Sequence, residues 1–366
     1  MARQGVISSM CAMAWLLVAG IIASIPSVES LGVCYGMSGS DLPPATSVIA
    51  MYKSNGIKAM RLYCADKPAL EALNGTDIRV LVNVPNDVLS NLSTRRAAAA
   101  AWVRDNIEPY HPSVVFRYIA VGNEVAGDAA INFLLPAIEN VQSAITDAGL
   151  DKKMKVTTSV SQAIVDPCNL PSDGKFSKEA HKFMGPILKF ISRNGAPLMV
   201  NVYPYFTYAY NPGDMDVRYA LFTAPDTVVK DGKYMYQNLF DATVDSFYAA
   251  MAREGVTGVK VLVSESGWPS AGGKAASPEN ARIYNQNLID HVRKGTPRQP
   301  HPIKTYLFSM FNENQKAKGV ERNWGLFYPN MKPVYPISFK RSSDTTDTDD
   351  SPAPAPTLAP ARRGRY

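Results

Sequence analysis

Eight short runs of apolar residues recur along this chain of 366 residues, with segments of helical character between them. None of the runs alternates regularly between apolar and polar residues, which is typical of parallel strands buried on both faces. Eight such strands separated by helices predict an α/β fold, a single-domain (β/α)8 TIM barrel. A doubly wound open sheet is the competing arrangement, but no run is followed by a glycine-rich phosphate loop. The predicted strands span residues 31–35, 58–63, 79–84, 117–122, 155–160, 197–202, 259–264 and 304–311.

Several of the intervening helices can be delimited from their end signals. Pro44 suits the start of a helix that stops near Asn55. Ser93 is predicted to cap a helix that runs through the alanines to Trp102. Gly149 suits the position just after the end of a third helix. A fourth helix precedes the seventh strand, and its apolar face is expected in the core: Phe240, Val244, Phe247 and Met251.

The two ends of the chain differ in composition from the predicted barrel. Residues 1–30 contain Arg3, an apolar run over 12–25 and small residues before Leu31, which together predict a secretory signal peptide. An uncleaved anchor is the alternative, but the run is shorter than the ~20 apolar residues that a membrane span prefers. Residues 342–366 are rich in Ser, Asp, Pro and Ala and predict a low-complexity, disordered tail. The tail ends in basic residues, not in the apolar signal of a GPI anchor. The barrel domain is therefore assigned to residues 31–341, with no membrane anchor.

The net charge of +6 sets few limits on the partners of the chain. It favours a weak attraction to acidic wall polymers or cell surfaces. The basic residues are scattered and form no nucleic-acid-binding motif, so no nucleic-acid partner is expected. Cys34, Cys64 and Cys168 remain after the signal peptide, and their spacing fits neither a metal site nor a disulfide framework. Cys34 and Cys64 could lie close together at the ends of the first two strands, but three buried free thiols are the favoured interpretation.

Two of the predicted strands end on a glutamate. Glu124 follows the fourth run, and Glu265 follows the seventh. Active sites of (β/α)8 barrels lie at the carboxyl ends of the strands, so both carboxylates should stand at the same mouth. Glycoside hydrolysis needs such a pair, one acid to protonate the leaving oxygen and one carboxylate to attack or to activate water. The alternative is that each glutamate is a solvated strand end or a buried ion-pair partner.

The segments around these glutamates also resemble a known family. Val121-Gly-Asn-Glu-Val125 and Val263-Ser-Glu-Ser-Gly-Trp-Pro269 look similar to the acid/base and nucleophile segments of glycoside hydrolase family 17, the plant β-1,3-glucanases. Further segments with this similarity extend the match over the whole predicted barrel, to about residue 338. They begin at Leu31, Leu42, Met60, Asn201, Phe311 and Trp324. The resemblance implies an endo-hydrolase of β-1,3-glucan that retains the anomeric configuration, acts without a metal or cofactor, and is a monomer.

The resemblance also implies roles for individual residues. Glu124 is the expected proton donor and later base, and Glu265 the expected nucleophile. Asn123 resembles the asparagine that hydrogen-bonds the sugar 2-hydroxyl, and Tyr63 matches a tyrosine near the reacting centre. A structural ion-pair network remains the alternative for a matching trio of charged residues beside the site, Glu313, Lys316 and Glu321. Three aromatic residues in matching segments are expected to bind substrate: Tyr203, Phe206 and Phe311.

The longest interval between strands, residues 203–258, begins with an aromatic-rich stretch. Aromatic rings at a barrel mouth suit stacking against sugar rings, although several of these side chains are expected to belong to the core. Asn74 and Asn91 occupy N-glycosylation acceptor patterns, which a signal peptide would make accessible to the modifying enzymes.

Three functions remain open on the sequence alone. The first is a β-1,3-glucanase acting on callose, laminarin or fungal wall glucan. The second is a mixed-linkage β-1,3;1,4-glucanase, which would share every catalytic residue and differ only in the shape of its subsites. The third is a glucan-binding barrel without activity, against which the retention of both glutamates argues. A secreted protein of the cell wall is expected, with the vacuole as the alternative location.

Overall fold

Eight parallel strands close into a barrel in the computed structural model, which describes residues 31–211, 213 and 215–339. In spatial order the barrel runs β1-β10-β9-β6-β5-β4-β3-β2, and the last strand pairs with the first. This closure confirms the predicted (β/α)8 architecture and excludes the open doubly wound sheet. The barrel strands are β1 (Leu31–Tyr35), β2 (Ala59–Leu62), β3 (Arg79–Val84), β4 (Val115–Asn123), β5 (Lys155–Ser161), β6 (Leu198–Asn201), β9 (Val261–Ser266) and β10 (Thr305–Leu307).

The carboxyl-terminal ends of two strands, β9 and β10, differ most from their predicted positions. Strand β9 runs on to Ser266, so Glu265 lies inside the strand rather than after it. Strand β10 ends at Leu307, because beyond it the backbone turns to other partners. The amide of Ser309 donates to the carbonyl of Trp324 (3.0 Å) and that of Met310 to the carbonyl of Cys34 (2.8 Å). An apolar composition alone cannot distinguish this irregular pairing from a strand.

The helices pack around the barrel and enclose the core between helix and sheet. Helix α1 starts after Pro44 and is capped at its end by Asn55, and Gly149 adopts the left-handed conformation (φ 72°) just beyond α6, as predicted. The helices are α1 (Ala45–Ser54), α2 (Lys67–Ala72), α3 (Leu89–Thr94), α4 (Arg96–Asn106), α5 (Gly127–Ala129), α6 (Leu135–Asp147), α7 (Lys178–Asn194), α8 (Pro204–Tyr210), α9 (Val217–Ala220), α10 (Leu239–Arg253) and α11 (Pro278–His291).

The predicted capping role of Ser93 is wrong. Ser93 lies within the short helix α3, and its hydroxyl donates back to the carbonyl of Ser90 (2.8 Å). The alanine-rich helix α4 begins only at Arg96, after Arg95 adopts an extended conformation. The hydroxyl of Ser93 therefore bonds within its own helix and does not cap the following one, a local bond that serine side chains commonly form.

The long interval between β6 and β9 is a folded unit and not an open loop. It contains α8, α9 and α10 and a small antiparallel hairpin, formed by β7 (Val229–Asp231) and β8 (Tyr234–Tyr236). The apolar face of α10 is buried as predicted, with Phe240, Val244, Phe247 and Met251 at most 1% exposed.

All three cysteines of the described region are free thiols, as predicted, but they are not all buried. Cys34 is buried, Cys64 is half-buried and Cys168 is exposed. No helix among the described residues is long and apolar enough to cross a membrane. The predicted signal peptide at 1–30 and the predicted tail at 342–366 lie outside the described residues.

Candidate active site

The two glutamates lie at the carboxyl-terminal mouth of the barrel. Glu124 is the first residue after β4, and its amide donates to the carbonyl of Ser159 in β5 (2.8 Å). Glu265 lies next to the end of β9 and opposite Asn201 in the adjoining strand β6. The chain turns at the end of β4 through positive φ angles at Gly122 (74°) and Glu124 (51°). A positive φ is unusual for a residue other than glycine and marks a backbone that its surroundings must hold in place.

Glu265 is buried and receives hydrogen bonds on both carboxylate oxygens. Its Oε1 accepts from Arg61 Nη1 (2.9 Å) and from the Tyr63 hydroxyl (2.7 Å), and its Oε2 accepts from the Tyr203 hydroxyl (2.6 Å). Only 6% of Glu265 is exposed, and Arg61 is fully buried beside it. Because all three partners are donors and one is a cation, the environment satisfies the ionised carboxylate. It also fixes the orientation of that group.

Glu124 has the opposite environment. It is exposed to the cleft, and its Oε1 accepts one hydrogen bond, from Asn201 Nδ2 (2.9 Å). Desolvation by the cleft walls raises the pKa of Glu124, and the negative charge of Glu265 raises it further, against smaller opposing effects of Asn201 and Arg61. The carboxyl group therefore holds its proton to higher pH than an ordinary glutamate does. One carboxyl group is surrounded by hydrogen-bond donors, and the other is in an environment that favours its protonated form.

A network of amides and Arg61 connects the two carboxyl groups. Arg61 Nη1 also donates to Asn201 Oδ1 (3.2 Å), and Arg61 Nη2 donates to Asn123 Oδ1 (2.7 Å). Asn201 Nδ2 donates to the same Asn123 oxygen (3.1 Å) as well as to Glu124. With two donors on its oxygen, the amide of Asn123 has only one satisfactory orientation. Its nitrogen makes no hydrogen bond with the described part of the chain and stays available as a donor.

Asn86 holds the backbone that carries Asn123 and Glu124. Its Nδ2 donates to the Asn123 carbonyl (2.8 Å), and its Oδ1 accepts from the Asn123 amide (2.8 Å). The side chain thus pairs with both the amide and the carbonyl of Asn123, as the backbone of a neighbouring strand would, at the point where β4 ends. Asn86 is exposed, so these two bonds serve the position of the turn rather than the stability of the core.

The cleft above the carboxylates has a volume of about 930 Å³, and one of its walls is aromatic. The ring of Tyr203 packs edge-on against Trp324 (centroids 5.1 Å apart) and Phe206 (5.6 Å). Phe206 in turn stacks on Tyr210 at 6.0 Å, and Tyr210 is 78% exposed. Flat apolar rings beside polar donors are suited to binding sugar, whose C–H faces pack on aromatic surfaces. The rest of the aromatic stretch supports the fold, since Tyr205 is 2% exposed.

Comparison with known proteins identifies the family. The model of the glycosyl hydrolases family 17 matches residues 31–339. The chain belongs to this family. It is 62% identical to Lichenase-2 of Hordeum vulgare over 314 residues, which are 86% of this chain and 100% of that relative. It is 52% identical to the acidic isoform of glucan endo-1,3-beta-glucosidase from Zea mays over 342 residues, 93% of this chain and 100% of the relative. A plant beta-glucan endohydrolase of known structure superposes with a TM-score of 0.82 at 61% identity, covering 84% of this chain and all of the other.

This family 17 glycosidase places the predicted charged trio in two different settings. Glu313 is 2% exposed and forms an ion pair with Lys316 (3.0 Å), while its Oε1 accepts from the amide of Ser38 (2.8 Å). A Cβ at Gly36 would lie 2.4 Å from the Glu313 carboxylate, so the loop after β1 rests directly on this pair. Glu321, by contrast, lines the cleft. The ion-pair alternative therefore describes Glu313 and Lys316.

Lys316 nevertheless contacts a residue of the cleft wall. Its Nζ lies 4.3 Å from the centroid of the Phe308 ring, which lines the cleft. Phe311 does not line it. That side chain is 1% exposed and packs edge-on against Tyr35 at 6.3 Å, so its position argues against the predicted contact with substrate.

Several residues on which the site depends had no predicted role. Arg61 was the easiest of them to predict. It is a charged residue inside an apolar strand, and because it lies two positions before Tyr63, both side chains should point to the same side of the strand. Asn201 and Asn86 carried no comparable signal.

Asn74 and Asn91 are both exposed, as glycosylation acceptors must be. Among the residues that the structure describes, no group of three or more His, Cys, Asp or Glu could hold a metal ion.

Proposed function

We propose that the protein hydrolyses β-1,3-glucan internally and with retention of anomeric configuration. Glu124 acts as the general acid and then the base, and Glu265 acts as the nucleophile. The observation that carries these roles is the contrast between the two carboxyl groups. Glu265 receives three donors including a buried guanidinium, whereas desolvation and a neighbouring charge favour the protonated form of Glu124.

In the first step, a carboxylate oxygen of Glu265 attacks the anomeric carbon and the bond to the leaving oxygen breaks. Glu124 transfers its proton to that oxygen, so that the leaving chain departs as an alcohol. The product is a glycosyl ester on Glu265. Tyr63 and Tyr203 keep the attacking group oriented through their hydrogen bonds, and Asn123 Nδ2 is available to the sugar 2-hydroxyl.

In the second step, Glu124 removes a proton from water, and the water oxygen attacks the anomeric carbon. The ester bond breaks, and Glu265 returns as a carboxylate. Formation of the ester has removed the negative charge that helped to raise the pKa of Glu124. The same residue is thus an acid while Glu265 is charged and becomes a base once it is esterified.

The assignment of substrate rests on relatives. Family 17 relatives named glucan endo-1,3-beta-glucosidase match this chain at 52% identity in Zea mays and 49% in Vitis vinifera, over 93% and 88% of its length. An aromatic-walled cleft open to solvent suits an internal stretch of polysaccharide. The test is the release of reducing ends and of soluble oligosaccharides from laminarin, with Glu265→Ala as the inactive control. Wild-type release from laminarin no greater than that of the variant would exclude hydrolysis of β-1,3-glucan. The same result on barley mixed-linkage glucan as well would leave a glucan-binding barrel.

A mixed-linkage β-1,3;1,4-glucanase is the second candidate. The observation that favours it is the 62% identity with Lichenase-2 of Hordeum vulgare, over the whole length of that relative. Both candidates use the same carboxylates and differ in the bonds that the subsites accept. Comparing kcat/KM on laminarin with kcat/KM on barley mixed-linkage glucan decides between them. A preference for laminarin supports the first candidate, and a preference for barley glucan replaces it with the second.

We further propose that the protein is a secreted monomer with no nucleic-acid partner. An acidic isoform from Zea mays and a basic vacuolar isoform from Nicotiana plumbaginifolia are both among its relatives, so the vacuole remains the alternative location. Mass spectrometry of the native protein would give its true ends, and a chain beginning at Leu31 would support cleavage of the predicted signal peptide. Sedimentation at micromolar concentration tests the monomeric state.

A further inference from the structure

The end of the barrel opposite the active site carries a ring of cations. In six of its eight strands, a lysine or arginine lies within two residues of the first strand position. Backbone pairing brings neighbouring members together, since the amide of Arg79 donates to the carbonyl of Lys58 (2.9 Å), and Tyr118, next to Arg117, is paired with Lys155. We call this set the basic ring: Lys58, Arg79, Arg117, Lys155, Lys260 and Lys304.

Part of the basic ring encloses a pocket of about 310 Å³. Its lining includes Arg79, Arg117, Lys155 and Lys304 of the ring, together with Lys153, and no aspartate or glutamate. Tyr306, 4% exposed, and Tyr118 provide aromatic surface, and Lys304 Nζ donates to the Tyr118 hydroxyl (2.9 Å). The volume lies at the lower end of the range for small-molecule sites, about 300–1,000 Å³.

Four of the five cations that line this pocket are not neutralised by carboxylates of the described part of the chain. Within the described part of the chain, Arg117, Lys153, Lys155 and Lys304 form no ion pair, and the Lys58–Asp77 pair (2.7 Å) lies in the adjoining part of the ring. Burial lowers the pKa of Arg79, and the like charge of Arg117 acts in the same direction, against opposing effects of Tyr306 and Tyr118. Cations gathered in a concave site concentrate positive potential and attract anions.

We propose that this pocket binds a carboxylate-bearing sugar unit of an acidic polysaccharide. The concave shape and small volume fit one charged sugar ring better than a flat bilayer surface. The remaining cations of the ring can pair with carboxylates on neighbouring units of the same chain. Because the pocket lies at the opposite end of the barrel from Glu124 and Glu265, a protein held there keeps its cleft open to a second, neutral polysaccharide.

The test measures binding of the purified protein to immobilised polygalacturonate and compares two triple variants with the same change in charge. The ring variant is Arg117→Gln, Lys155→Gln and Lys304→Gln. The control variant removes three cations from exposed faces of helices α4 and α7: Arg104→Gln, Lys182→Gln and Lys189→Gln. We expect the ring variant to bind roughly tenfold more weakly, because three exposed ion pairs of ordinary strength are lost, and the control to bind as wild type. Hydrolysis of soluble glucan should be equal in all three proteins.

Soluble competitors distinguish the sources of the anion. A short oligogalacturonide should displace the protein from the polymer at lower concentration than inorganic phosphate does. More effective displacement by phosphate would overturn the assignment to a sugar carboxylate and indicate a general oxyanion pocket. Equal weakening of the ring and control variants, or no binding by wild type at low salt, would overturn the proposed site altogether. Both readouts are independent of the activity proposed for the cleft.

Discussion

Replacement of Asn86 by alanine tests whether the turn that carries Glu124 needs to be held in place. The substitution removes two hydrogen bonds of 2.8 Å to the backbone of Asn123 and leaves every group of the catalytic network present. Glu124 then keeps its unusual φ of 51° with less support. The strand end should relax, and the proton donor should spend less time in the position from which it can reach the leaving oxygen.

The size of the effect follows from these two bonds. A neutral hydrogen bond contributes about 0.5–1.5 kcal/mol net, so the pair amounts to about 1–3 kcal/mol. If this appears in the transition state, kcat falls about 5- to 150-fold, since 1.36 kcal/mol is a factor of ten in rate. KM should change little, because the aromatic wall of the cleft is untouched. The melting temperature should also change little, because Asn86 is exposed and water can take over its partners.

The assay is steady-state hydrolysis of laminarin by wild type, Asn86→Ala and the control Asp87→Ala. Asp87 is the exposed neighbour, and its side chain makes no hydrogen bond with the described residues. A selective loss of kcat in Asn86→Ala supports a positioning role. An unchanged kcat, or a loss of kcat accompanied by a large fall in melting temperature, would contradict the positioning role of Asn86.

Three further predictions address pH and the domain boundary. Glu321→Gln removes a negative charge that helps to raise the pKa of Glu124, so the alkaline limb of kcat/KM should move to lower pH, whereas the distant Glu179→Gln should leave it in place; an upward shift would contradict the assigned acid. Burial raises the pKa of Asp245 to about 6, above its value in the unfolded chain. The protonated residue therefore stabilises the fold at a pH below its unfolded pKa, and this contribution is lost as the pH rises through 6. The unfolding free energy of wild type, relative to Asp245→Asn, should therefore fall between pH 4 and pH 7, and a constant difference would contradict this. A chain truncated after Arg341 should keep its activity and its melting temperature within a few degrees, because the predicted tail has little apolar surface to bury, and a marked loss of stability would show that the boundary is misplaced.

The barrel could be predicted because its signal is local. Each strand is a short apolar run such as residues 79–84, and burial on both faces makes such runs recognisable without any knowledge of their partners. The positions of Glu124 and Glu265 followed from the same runs, because strand ends of a closed parallel barrel share one mouth. Where the pairing is irregular, as after Leu307, the local signal failed. The apolar run continued there although the strand had ended. Phe311 was assigned to the cleft through the family resemblance, whereas its side chain is buried in the core.

The network around the carboxylates could not be predicted because it depends on contacts across the barrel. Arg61 bonds Asn123, Asn201 and Glu265, which are 62, 140 and 204 positions away in the chain. Only closure of the barrel determines that these side chains meet. Asn201 illustrates the difficulty, since an asparagine at the end of an apolar strand is equally suited to a turn. The five hydrogen-bond partners of its side chain all lie outside its own strand.

The roles of the two glutamates are tested most directly by azide rescue of their alanine variants. The substrate is an aryl β-glycoside of a short laminari-oligosaccharide, whose leaving group needs little protonation. In Glu265→Ala, azide can enter the space of the missing carboxylate and attack from that side, which gives the α-glycosyl azide. In Glu124→Ala the ester on Glu265 still forms, and azide then attacks from the opposite face to give the β-glycosyl azide. We expect these two anomers, assigned by NMR of the isolated products. The reverse assignment would show that the nucleophile and the acid/base residue have been exchanged.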